Sequence, residues 1–125
     1  MPKILVVEDD GDLSYLYGTV LTRHGYSVES ARRGADALLH LTNEPFDLII
    51  LDIGMPDMSG LRVLEFVRED ARLKQIPVVV ASANEQNERL ARTRGAQHFL
   101  VKPVKLQKLV ALVEHLLGPE PERHT

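Results

Sequence analysis

The sequence predicts an α/β domain: a five-stranded parallel sheet with helices on both faces, wound as a doubly wound (βα)5 chain. Three observations predict it. Short apolar runs recur along the 125 residues, each followed by a longer stretch with helical spacing. Those runs are apolar at every position, which marks strands buried on both faces of a parallel sheet. Glycine or proline stands at most segment ends, where helices stop or strands begin. Alternation of strand and helix then implies right-handed crossovers within one sheet.

Each element has its own signal. Residues 4–7 (Ile-Leu-Val-Val) form the first strand, and Leu13, Leu16, Tyr17, Val20 and Leu21 make the stripe of a helix that ends at Gly25. Residues 27–31 are a weaker strand, and residues 35–41 a second helix that must stop before Pro45. Residues 47–51 (Asp-Leu-Ile-Ile-Leu) carry the strongest buried-strand signal. Ser59 precedes a third helix with Leu61, Leu64 and Val67, and Pro77 opens a fourth strand at 78–81. A polar helix over about 84–94 closes at Gly95, a short strand follows at 99–101, and a last helix at 106–117 closes at Gly118. Residues 1–117 thus read as one domain, and residues 118–125 as a flexible polar C-terminal tail.

Composition narrows the function. With 44% hydrophobic residues the chain buries enough apolar surface to order itself, and no apolar run approaches the ~20 residues of a membrane helix. A formal net charge of −3 argues against direct nucleic-acid or anionic-membrane binding. The absence of cysteine excludes disulfides, thiolate metal sites and thiol catalysis. No secretory signal is seen, so a cytoplasmic protein is expected.

In a sheet of this kind, chemistry gathers beyond the carboxyl ends of the strands. There the sequence places Glu8, Asp9 and Asp10 after the first strand, Asp52 after the third, Ser82 after the fourth, and Lys102 with Pro103 after the fifth. In a flavodoxin-like strand order the carboxylates share one crevice, where each like-charge pair costs roughly 4 kcal/mol at 4 Å. A proton, Lys102 or a hard cation must offset that repulsion, and clustered carboxylates with a backbone carbonyl suit Mg2+. Singly, each residue has a bland role: an aspartate as helix cap, Asp52 as turn residue, Ser82 as loop hydroxyl, Lys102 as solvated cation. Their convergence on one sheet edge is what argues for a site. The five histidines show no i, i+4 ligand pairing.

The same segments resemble the receiver domain of bacterial two-component response regulators, in particular single-domain, chemotaxis-regulator-like receivers. The resemblance runs from Lys3 to about Leu117. It is carried by residues 4–10 (Ile-Leu-Val-Val-Glu-Asp-Asp), 47–60 (Asp-Leu-Ile-Ile-Leu-Asp-Ile-Gly-Met-Pro-Asp-Met-Ser-Gly), 77–83 and 95–103. It implies that Asp52 is the phosphoacceptor, and that Glu8, Asp9, Asp52 and the backbone carbonyl of Gly54 hold Mg2+. Asp10 falls one residue beyond the acidic pair. Ser82 takes the place of the family's switching hydroxyl, Lys102 of its phosphate-binding lysine, Pro103 of a cis proline and Phe99 of its switching aromatic. Phe99 lacks the hydroxyl of the common tyrosine, and Val104 stands where many members have phenylalanine.

The implied function is Mg2+-dependent acceptance of a phosphoryl group from a sensor histidine kinase or a histidine phosphotransfer protein. Slow autodephosphorylation follows, with no turnover of an external substrate. The kinase is expected at Leu13, Leu16 and Val104. A downstream protein, whose identity the sequence leaves open, is expected on the face made by the fourth helix, fifth strand and fifth helix. A monomer or a weak phosphorylation-dependent dimer is expected. No output domain follows Leu117, which reads as a stand-alone receiver, a relay intermediate, a phosphate sink or a truncated chain.

Two rival readings fit less well. An aspartyl phosphatase wants a second acid two residues after Asp52, where Gly54 stands. A nucleotide or flavin binder wants a Gly-rich loop after the first strand, and this one reads Glu-Asp-Asp-Gly-Asp.

Overall fold

The computed structural model describes residues 1–118. Ten elements alternate: β1 (Lys3–Val7), α1 (Gly11–Arg23), β2 (Ser27–Ala31), α2 (Gly34–Asn43), β3 (Leu48–Asp52), α3 (Gly60–Glu69), β4 (Val78–Ser82), α4 (Asn87–Thr93), β5 (His98–Val101) and α5 (Leu106–Leu117). All strand pairs are parallel, in the order β2-β1-β3-β4-β5. The expected tail lies outside the described residues beyond Gly118.

Period-two alternation sorts the strand residues onto two faces. Leu5, Val7, Ile49, Leu51, Val78 and Val80 form one core with Leu41 of α2 and Val63, Leu64 and Val67 of α3. Ile4, Val6, Leu48, Ile50 and Val79 form the other with Tyr17 and Leu21 of α1 and Leu109 and Val113 of α5. Each such side chain contributes roughly 1.5–3 kcal/mol by leaving water. The three central strands are therefore held from both sides, as their apolar runs require.

Helix ends follow local chemistry. Asp10 accepts hydrogen bonds from the backbone N–H groups of Asp12 and Leu13 and caps α1. Ser59 caps α3 through the N–H of Leu61. The α4 helix is shorter than the polar pattern suggests. Residues 84–86 form a turn instead, in which the Asn84 side chain accepts from the N–H of Gln86 and the Ser82 hydroxyl from the N–H of Asn84. Only Ala91 of α4 is buried.

Arg68 of α3 ties the opposite end of this flank together. Its guanidinium donates to the carbonyls of Gly95 at 2.8 Å and Ile76 at 2.7 Å, and to the Gln97 side chain at 2.7 Å. Gly95 sits at φ 109°, and a Cβ there would press to 2.8 Å from the Arg68 stem.

Candidate functional site

The chain leaves β1 in both directions, to β2 on one side and, after α2, to β3 on the other. The crevice at the carboxyl ends of β1 and β3 is thus the topological switch point of the sheet. Glu8 directly follows β1 and is 2% exposed, and Asp52 ends β3 and is 6% exposed. Carboxylate oxygens of Glu8, Asp9 and Asp52 lie within 4.8 Å of one another.

Lys102, one residue past β5, closes the group. Its Nζ lies 2.8 Å from Glu8 Oε1 and 3.3 Å from Asp52 Oδ1, so from the end of β5 it reaches past β4 to groups at the ends of β1 and β3. Its own N–H donates to the Ser82 carbonyl at 2.9 Å, and the peptide bond to Pro103 is cis. The N–H of Gly54 donates to Asp52 Oδ1 at 3.3 Å, and that of Asp10 to Glu8 Oε2 at 3.2 Å.

Three carboxylates face one ammonium, and the ionisation shows it. Burial, then the charge of Glu8, push the Asp52 carboxyl up to about 6, against the pull of Lys102 and the Gly54 N–H. Burial would lower the Lys102 ammonium, but its hydrogen bond to Glu8 and the charge of Asp52 outweigh that and raise it. Tyr17, part of the apolar stripe of α1, has its phenol raised by burial and by the charge of Glu8. A crevice of oxygen ligands carrying unbalanced negative charge fits a hard divalent cation. Glu8, Asp9 and Asp52 are the carboxylates that converge there.

Gly60 explains how α3 starts so close behind Asp52. A Cβ there would lie 2.2 Å from the backbone oxygen of Asp52, so only glycine lets the helix begin at this point. Asp57, to which the sequence assigns no role, caps α2 from the loop after β3. Its carboxylate accepts from the N–H groups of Gly34 at 2.8 Å and Ala35 at 2.9 Å, and these bonds hold its carboxyl below the ordinary range. No local signal marks either role, because both contacts come from elsewhere in the fold.

Ser82 is buried at the end of β4, and its hydroxyl is hydrogen-bonded to Asn84 and Asn87 rather than to the side chains of Asp52 or Lys102. Phe99 is half-buried and packs against the α2–α3 core, so it has less apolar area left to bury than an exposed ring. Leu16 is 44% exposed on α1, while Leu13 and Val104 are half-buried against the α1–α5 core. Leu112 also packs there, at the rim of the core. A second group, Glu29, His40 and Glu44, clusters on the β2–α2 flank, where the Lys3 ammonium pairs with Glu44 and supplies the cation.

The chain is similar to known proteins along nearly its whole length. A sequence model of the family described as response regulator receiver domain matches residues 4–114. The polar-differentiation response regulator DivK of Brucella anthropi is 31% identical over 94% of this chain and 98% of its own. The transcriptional regulatory protein GltR of Pseudomonas aeruginosa is 35% identical over 92% of this chain, which spans only 48% of GltR. Among solved structures, the response regulator TrrA of Thermotoga maritima in complex with Mg(2+)-BeF superimposes with a TM-score of 0.84 at 31% identity, over 94% of this chain and 100% of that one.

Proposed function

Since the chain belongs to the response regulator receiver domain family, the phosphorylation-dependent signalling domains of two-component systems, we propose that its phosphoacceptor is Asp52. One observation carries this reading: the buried carboxylates of Glu8 and Asp52 converge with that of half-buried Asp9 at the switch point, and Lys102 lies across Glu8 and Asp52.

Receiver domains accept phosphate from histidine kinases and generally bind Mg2+ in an acidic pocket. In the proposed reaction an Asp52 carboxylate oxygen attacks the phosphorus of a phosphohistidine. An O–P bond forms, the N–P bond breaks, and the imidazole leaves with the electron pair and takes up a proton. Mg2+, when bound, supplies charge neutralisation to the phosphoryl oxygens, and Glu8, Asp9 and the Gly54 carbonyl would hold it beside Asp52. Lys102 turns its ammonium from Glu8 and Asp52 to one phosphoryl oxygen, and the Ser82 hydroxyl donates to another. Phosphoryl transfer asks mainly for such positioning and charge balance.

The product, an aspartyl phosphate, is the signal itself, so no external substrate is turned over. The kinase docks beside the site, where Tyr15 is 77% and Leu16 44% exposed on α1, with the loop around Val104 adjoining. A downstream protein reads the α4–β5–α5 face, where Leu90 and Val101 are exposed. Among the described residues no helix is long and apolar enough to cross a membrane, in keeping with a cytoplasmic role. A small acyl phosphate with Mg2+ should add one hydroxylamine-labile phosphate to the protein and none to Asp52→Asn. Labelling retained in that variant overturns the assignment.

A further inference from the structure

We propose that Asn87, the first residue of α4, is a positioning residue for Ser82. It commits the Ser82 hydroxyl to the donor role that the phosphoryl group needs, and it ties the hydroxyl to α4. The inference rests on the reading of Asp52 and Ser82 given above.

Ser82 is 5% exposed, so its hydroxyl depends on protein partners. A hydroxyl has two lone pairs and one hydrogen. Here both lone pairs are engaged by N–H donors: Asn87 Nδ2 at 3.0 Å and the backbone N–H of Asn84 at 3.1 Å. The hydrogen is left to the carbonyl of Asn84 at 3.3 Å, longer than an ordinary O–H···O bond. An oxygen saturated in this way accepts nothing further, while its hydrogen is weakly held and free to be redirected. A phosphoryl oxygen on Asp52 is a charged acceptor and forms a bond roughly twice as strong as a neutral one. The competition between the Asn84 carbonyl and the phosphoryl group therefore falls to the phosphoryl group.

The two asparagines differ in what they connect. Asn84 lies two residues from Ser82 and belongs to the same turn, so it travels with the serine. Asn87 lies five residues on, within a helix, and its amide is the recorded side-chain bond from the hydroxyl to a secondary-structure element. The N-cap residue of α4, Gln86, makes no side-chain cap bond, and only Ala91 of the helix is buried. An element with so few anchors responds to a change at one of them. When the hydroxyl turns toward Asp52, Asn87 carries that displacement into the first turn of α4.

Two variants separate this role from a structural one. The probe is 15N-labelled protein with Mg2+ and beryllium fluoride, a phosphoryl mimic, followed by amide chemical shifts. In the wild type, shifts are expected at residues 52–54 and at residues 87–93. In Asn87→Ala the shifts at 52–54 should persist, while those at 87–93 fall at least twofold. Asn87→Asp replaces the donor with a carboxylate that accepts the Ser82 hydrogen, and should weaken binding of the mimic about tenfold. Wild-type shifts of α4 in Asn87→Ala, or undiminished binding by Asn87→Asp, overturn the proposal. A loosened fold would disturb both regions of Asn87→Ala together, and this also overturns it. If the mimic moves neither region of the wild type, the Asp52 reading fails instead.

Discussion

The two flanks of the sheet are built to different tolerances. Every residue of β3 and β4 is buried, and α3 adds Gly60, Val63, Leu64 and Val67. On the far flank no residue of β5 is fully buried, and α4 contributes Ala91 alone. The acids and their nearest backbone sit on the tightly packed part, where position is set to a fraction of an ångström. The face expected to meet a partner includes the sparsely buried α4 and β5. Chemistry needs fixed geometry, whereas a signal needs an element that is free to shift.

The largest test of this contrast is Gly60→Ala. Its Cβ would lie 2.2 Å from the Asp52 carbonyl oxygen, with rigid backbone on both sides. A loss of about 3 kcal/mol or more is expected in urea denaturation, with failure to fold at the extreme. Leu90→Ala on exposed α4 should change stability by less than about 0.5 kcal/mol. Comparable losses at the two positions would erase the distinction between the flanks.

The next test is electrostatic. The Asp52 carboxyl is raised from 3.8 to about 6 in the fold by burial and Glu8. The folded state therefore holds a proton there more readily than the unfolded chain, and stability falls as pH rises from about 4 through 6. Without Mg2+, Asp52→Asn should be more stable than the wild type by about 2–3 kcal/mol at pH 8. The gain should vanish near pH 4, and millimolar Mg2+ should reduce it by stabilising the wild type. Urea titrations at the two pH values measure it, and a gain independent of pH would deny that the site stores charge repulsion.

A smaller effect is expected from Arg68→Ala, about 2 kcal/mol in thermal or urea melts. The change frees the carbonyls of Gly95 and Ile76 and the Gln97 side chain. Hydrogen exchange should rise in the α4–β5 segment and stay unchanged in β1 and β3. Uniform loosening would show that the flanks are coupled rather than separate.

The smallest change in stability, under about 0.5 kcal/mol, is expected for Leu16→Ala, since that side chain is 44% exposed. Transfer from a cognate kinase should nonetheless slow several-fold while labelling by a small acyl phosphate keeps its rate. Equal slowing of both would assign Leu16 to the framework of the site.

The amino-acid order by itself determined the layering of this protein and the roster of its sheet edge. Apolar runs at 4–7, 48–51 and 78–81 can be buried only on both faces, and each strand ends where its run gives way to Glu8, Asp52 or Ser82. Those are local properties, carried by consecutive residues, and they survive any uncertainty about neighbours. The tertiary structure alone decided which groups meet. Asp57 caps a helix 22 residues earlier, Arg68 reaches a carbonyl 27 residues later, and Gly60 is required by the backbone of Asp52. It also shortened α4, because Asn84 turns back on Ser82 before the helix can begin, and so placed Asn87 against the hydroxyl. Periodicity reports which side of an element faces inward, but the partner waiting there is set by packing between elements distant in sequence.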